Sequence, residues 1–232
     1  MRKPRLSSLR TVKRVLGELL LIVAGVLSAL ALDSWWEDQQ DRQEETGYLE
    51  QLLLDLREME NRVQASLEGD SSMLVRVGGI LDRALNGPYP PRDSLGLPTG
   101  YTQFRPLTGT QTALVQSGDL RLLRNDSIRF ALVAYGSLVD ATESLLRHTE
   151  TLIWDSTQRV MLATARHSRS GVIRPGTRWG DVDVGAVLGD PEVISALRVH
   201  VAASANRVRN LHRLEEPTAD LIRLLQTELG RL

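Results

Sequence analysis

Residues 15–36 read VLGELLLIVAGVLSALALDSWW, and the architecture turns on what this stretch does. From Val15 to Leu32 there are eighteen residues with a single charge, Glu18. That is close to the ~20 apolar residues a helix needs to cross a hydrocarbon layer. Arg2, Lys3, Arg5, Arg10, Lys13 and Arg14 precede it with no acid among them, and Trp35 and Trp36 follow it. Basic residues beside a span are held on the cytoplasmic side, and tryptophan favours the headgroup interface. The expectation is a single-pass protein of the bacterial inner membrane. Residues 1–14 form a cytoplasmic basic N-terminus, 15–36 a transmembrane helix with Trp35 and Trp36 as interface anchors, and 37–232 an extracytoplasmic (periplasmic) helical domain. A cleavable secretory signal is the competing reading, because a basic start, an apolar core and Ala29-Leu30-Ala31 have that form. Against cleavage, the apolar pattern runs past this site into Leu32 and the paired tryptophans.

Projected at 100° per residue, the span has two unlike sides. Gly17, Ala24, Gly25, Ser28, Ala29 and Ala31 gather on one, with Glu18 at its edge, and Leu19, Leu20, Val23, Val26, Leu27 and Leu30 on the other. Small residues let helices approach closely in lipid, and Gly25 with Ala29 makes a small-xxx-small step. Gly17, Glu18, Ala24, Gly25, Ser28 and Ala29 are therefore the candidate packing or partner-contact residues. Alanine and glycine are also common in spans without any such role. Glu18 is costly inside an apolar run. It lies one turn from Arg14, however, so pairing at i, i+4 competes with partner recognition and with proton coupling.

The remainder reads as all-α. The chain is 42% apolar and 25% charged, as folded proteins are, with only 4% aromatic residues, which disfavours a β-sandwich. Glu37 to Glu68 places Leu49, Leu52, Leu53, Leu56, Met59, Val63 and Leu67 at helical spacing and predicts a continuation of the spanning helix. A second helix is expected over 71–85, ended by Asn86, Gly87 and Pro88. Residues 87–109 are expected to form a Gly- and Pro-rich loop in which Tyr89, Tyr101 and Phe104 either anchor the loop onto the bundle or make it a binding surface. A short helix over 110–117 should stop at Gly118, and Asn125 or Asp126 should cap the next. That one carries Ile128, Leu132, Tyr135, Val139, Thr142, Leu146, Thr149, Ile153, Val160 and Ala163 in alternating three- and four-residue steps, the seam of a bundle or coiled coil. A second irregular region follows from about 167 to 188, with Arg174-Pro175-Gly176 and Trp179. Asp190-Pro191 then opens a helix bearing Val193, Ile194, Leu197, Val201, Ala205, Val208 and Leu211, and a last segment carries Leu221 to Leu229. The fold expected is an antiparallel helical bundle with two long irregular loops, standing on the membrane helix.

Several chemistries lack their residues. With no cysteine there are no disulfides and no thiolate sites. His148, His167, His200 and His212 show no HExxH and no metal-ligand spacing, and each is expected on the surface or at a helix end. No GxSxG or phosphate-binding glycine loop occurs, so no catalytic residue, cofactor or metal is assigned and the chain is not read as an enzyme. Beyond Leu32 the chain is net acidic, at −6, with no basic cluster, so nucleic acid is not an expected partner.

Gly17-Glu18, the apolar run, Trp35, Glu37, Arg42, Glu45, Tyr48, Leu49, Leu52 and Leu56 form an ungapped series. It resembles the N-terminal signature of an uncharacterised bacterial single-pass membrane family, the DUF6090-like proteins: GE, apolar helix, NxWNE, then a charged helix with YL. Ser117-Gly118-Asp119-Leu120 through Ile128-Arg129 is similar to that family's central segment. The chain departs from the pattern at Trp36, where a small polar residue is usual. The resemblance implies a retained anchor and an extracytoplasmic helical domain, and no activity. The expected function is that of a membrane-anchored interaction or scaffold module, a homo-oligomer or a partner of another envelope membrane protein. The alternatives are a ligand-sensing bundle acting through a partner, and an accessory subunit of an ion-driven machine using Glu18.

Overall fold

The computed structural model describes residues 7–87, 103–168 and 182–232, with side chains from Glu18 onward. Among the described residues the chain is helical with no strand: α1 (Ser7–Asn86), α2 (Gly109–Ser117), α3 (Asp126–Arg166), α4 (Val184–Gly189) and α5 (Pro191–Leu229), with a 3-10 turn at Asp119–Leu122. The sole β feature is an isolated bridge between Ser168 and Val182. Residues 88–102 and 169–181, which hold Tyr89, Tyr101, Arg174 to Gly176 and Trp179 and most of the two loops expected from the sequence, lie outside the described residues. Phe104, the third aromatic assigned to the first loop, is described and buried.

The helix boundaries follow local chemistry. Asn125 caps α3 by accepting from the Ser127 amide at 2.9 Å. Asp190 caps α5 by accepting from Glu192 N at 2.8 Å, with Pro191 in the first turn where its missing N–H costs nothing. Gly118 ends α2 at φ +82°, a left-handed conformation open to glycine. Two expected interruptions are absent. α1 runs unbroken through Gly69-Asp70, because one glycine costs ~1 kcal/mol and the packed seam on either side outweighs it. α5 runs unbroken through Pro217 to Leu229. Within the region expected to be irregular up to Leu188, Asp183 caps the short α4 by accepting from Ala186 N at 3.1 Å.

The chain divides into two compact units, Met1–Leu49 and Glu50–Leu232. The first is helix from Ser7 on, and its side chains from Glu18 through Glu37 are exposed. One stretch of α1 is long and apolar enough to cross a membrane. The second unit is built from three long helices whose buried residues step by three and four, with one step of seven on α1 between Asp70 and Val77. On α1 these are Leu52, Leu56, Met59, Val63, Ser66, Asp70, Val77, Ile80 and Ala84. All ten seam positions read from the sequence of α3 are buried, with Ser156 completing the series. On α5 the series is Val193, Leu197, His200, Ser204, Arg207, Leu211, Leu214, Thr218, Leu221 and Leu225. Val201, Ala205 and Val208, named on this helix from the sequence, fall outside that buried series. They are half-buried, and the interior positions beside them are polar.

Side-chain pairs fix the directions. Asn125 with Glu228, Tyr135 with Thr218, Ser156 with His200, and Arg166 with Glu192 show α3 and α5 running antiparallel. On α1, Asp70 meets Arg207 at the level of Leu146 on α3, while Val77 and Ala84 share a core with Val160, Ala163, Val187 and Leu197. α1 and α3 therefore run the same way. The chain has returned along α1 by Arg105, whose carbonyl accepts from Arg62, and Thr110 then hydrogen-bonds Asp55.

α2 is held against α3 at a glycine. Gln111 Nε2 donates to the Leu132 carbonyl at 2.5 Å, and a Cβ on Gly136 would collide with that amide. Alanine in a helix gains ~1 kcal/mol over glycine, whereas losing a buried hydrogen bond costs ~1–3 kcal/mol. Gly136→Ala is expected to destabilise the chain by about 1 kcal/mol, yet to stabilise a Gln111→Ala variant by about the same amount. Urea unfolding of the four proteins of this cycle measures the reversal of sign.

Candidate functional site

The least ordinary chemistry lies inside the seam. Arg207 is 0% exposed and Asp70 2%. Arg207 Nε donates to Asp70 Oδ2 at 2.9 Å, and its Nη1 donates to Glu150 Oε1 and to the Leu146 carbonyl, each at 3.3 Å. One guanidinium on α5 thus holds a carboxylate from α1 and a carboxylate and a carbonyl from α3. Arginine suits the position because it stays charged and presents five donors in a planar fork, enough for several acceptors at once. Stripping water from a guanidinium and a carboxylate costs several kcal/mol per ion, which their attraction roughly returns. The net stabilisation is therefore small. The cost of leaving one charge alone is large.

Two turns along α5, His200 is fully buried, which corrects the expectation that every histidine lies at the surface or a helix end; His148 and His212 are exposed and His167 caps α3. Ser156 Oγ donates to the Ile153 carbonyl at 2.8 Å and lies 3.2 Å from His200 Nδ1. Having spent its proton on the carbonyl, Ser156 accepts from Nδ1–H, which leaves Nε2 as a lone-pair acceptor. Among the described residues Nε2 has no hydrogen-bond partner, nor has the buried Ser204 hydroxyl one turn on. Burial lowers the imidazole pKa to about 4, so the ring is neutral at pH 7. The serine–histidine pair is not a competent nucleophile and base, since the serine proton is directed at a backbone carbonyl and both side chains are closed to solvent.

Nearer the end of α5, Thr218 Oγ1 donates to the Leu214 carbonyl at 2.5 Å and accepts from Tyr135 OH at 2.8 Å. Burial raises the Tyr135 pKa, and the bond to Thr218 offsets part of the rise. Pro217 lies beside this pair. A groove of about 610 Å³ opens there between α3 and α5, lined by Ala131, Ala134, Leu138, Pro217, Leu221 and Leu224 with Glu216 and Asp220. Among the described residues no group of three or more His, Asp or Glu is placed to hold a metal ion.

The candidate residues read from the sequence lie elsewhere. Gly17, Glu18, Ala24, Gly25, Ser28 and Ala29 all fall within α1. The five from Glu18 to Ala29 are exposed, and a Cβ at Gly25 would meet no atom within 4 Å. Trp35 and Trp36 are 61% and 68% exposed, their ring centroids 6.4 Å apart. The buried Asp70, Glu150, His200 and Arg207 were not singled out from the sequence. The usable signal was the unbroken three- and four-residue stepping from Val193 to Leu225, which passes through the polar residues.

Removing one partner of the buried pair strands the other. Asp70→Ala is expected to cost about 3–5 kcal/mol in equilibrium unfolding. Tyr135→Phe, which removes a neutral hydrogen bond, should cost only about 1 kcal/mol. Similar losses for the two variants would show that the Asp70–Arg207 pair is solvated in solution.

The sequence matches no protein-family model, no curated protein and no solved structure.

Proposed function

We propose that this chain is a membrane-anchored helical interaction or scaffold module of the bacterial envelope. The observation that carries the reading is the bare apolar stretch of α1. Its large side chains between Leu19 and Leu32 are 46–77% exposed, and the share of this window buried by the rest of the chain is 0%. So long an apolar surface is not left in water, and a bilayer covers it without residue. The basic residues before it and Trp35 and Trp36 after it support insertion with the N-terminus in the cytoplasm and residues 37–232 in the periplasm. There the long helices form a bundle whose interior is spent on holding itself together.

An anchored bundle with its polar interior closed offers its surfaces and its span for work. Within the bilayer, the Gly25 and Ala29 side of the helix gives a partner helix room for close backbone contact. The partner is a second copy of this chain or another envelope membrane protein. Crosslinking and mass-spectrometric pull-down from native membranes tests this, run beside a Gly25→Leu, Ala29→Leu variant. The expected outcome is one specific complex with the unsubstituted chain and its loss in the variant. If both proteins stay monomeric and alone, the span is an anchor only and the interaction reading fails.

A further inference from the structure

Buried polar groups are densest in the middle of the seam of the three long helices. At one end Val77, Ile80, Val160, Ala163, Leu197 and their neighbours form a continuous core. At the other, Leu56, Leu132, Val139, Leu211, Leu214 and Leu221 are buried. Between them Ser66, Asp70, Thr149, Ser156, His200, Ser204 and Arg207 are buried beside Leu146, Ile153 and Ala203. Helix contact in this stretch depends on hydrogen bonds and one ion network as well as on buried hydrocarbon.

We infer that this middle stretch is an acid-sensitive latch, in which a proton on His200 releases α5 from α3 locally while the two ends of the seam hold. The groups around the imidazole have no place for its charge. On α3 it meets the Ser156 hydroxyl, which already accepts from Nδ1–H. The core that Leu197 and Val160 share takes Met73, Val77, Ile80, Leu81 and Ala84 from α1 and Val184, Val187 and Leu188 from α4, none of them charged. On α5 the next interior groups are Ser204 and then Arg207, two turns away, or ~10 Å along the axis. Asp70 and Glu150, the anions that face this part of the seam, are both engaged by Arg207. A charged His200 would be a second buried cation with no anion of its own.

The direction of the effect follows from proton linkage. Burial holds the closed-state pKa to about 4, and on opening the ring returns to its ordinary value of 6.5. Between those values the open form binds a proton that the closed form does not, so each unit of falling pH favours opening tenfold. The shift is about 30-fold at pH 5 and approaches 300-fold at lower pH, with none above pH 7. His148, His167 and His212 reach solvent or pair with acids, as His167 does with Asp190 and His212 with Glu215.

Hydrogen–deuterium exchange of the full chain in detergent at pH 7 and pH 5, with rates corrected for intrinsic pH dependence, reads the latch directly. Peptides covering 146–157 and 200–210 should lose protection about 20-fold relative to those covering 77–84 and 211–225. His200→Leu and His200→Gln should each abolish the difference. Uniform loss across all four regions, unchanged protection at pH 5, or the same local loss in a folded His200 variant would each overturn the inference. The comparison of regions in the unsubstituted chain decides the matter even if neither variant folds.

Discussion

The packing of Glu50–Leu232 depends on one guanidinium. Arg207 is enclosed where α1, α3 and α5 meet, and it takes its acceptors from both other helices. Three helices with a heptad-like seam can slide past one another by seven residues and still bury hydrocarbon. Such a slip carries Arg207 away from Asp70 and Glu150 and leaves two carboxylates and a cation unpaired in or near the interior. The unpaired states cost several kcal/mol, while the paired state gains little. The network thus acts against alternative alignments and adds little to the stability of the native one.

The directional contacts elsewhere are consistent with a single alignment. Asn125 to Glu228, Tyr135 to Thr218, Ser156 to His200 and Arg166 to Glu192 mark successive levels of the α3–α5 pair. Each is worth ~1 kcal/mol or less, so none could enforce the register alone. Gly136 allows α2 to lie close on α3 through Gln111, and this contact places the chain after its return along α1. For a module proposed to act through its surfaces, a single fixed alignment matters because every exposed face moves with it.

The all-helical class was legible because its signals are local and redundant. The stepping of α3, the Asn125 and Asp190 caps, Pro191 and the Gly118 stop are each readable within a few residues. The apolar stretch before Trp35 was legible from length alone, and the structure contains a helix there that is long and apolar enough to span a membrane. What escaped were the places where tertiary context overrides a local rule. Gly69-Asp70 looks like an ending, but Asp70 is an interior residue fixed by a partner 137 positions away. On α5, Val201, Ala205 and Val208 follow the rule that apolar residues face inward, yet the interior belongs to His200, Ser204 and Arg207. A buried arginine is recognisable only once its carboxylates are known to lie opposite, and these belong to other helices.

The most direct test of the role given to Arg207 is an alignment measurement. The chain has no cysteine, so Gln64→Cys and Glu215→Cys, which flank one groove between α1 and α5, provide unique spin-label sites. Pulsed electron paramagnetic resonance then reports the distance with the network intact and in a variant carrying Asp70→Leu, Glu150→Leu and Arg207→Met. A single narrow distance is predicted for the native network. For the apolar variant, still helical, the prediction is a distribution split by the ~10 Å of a seven-residue slip. An equally narrow, unshifted distance in the apolar variant would contradict the role assigned to Arg207.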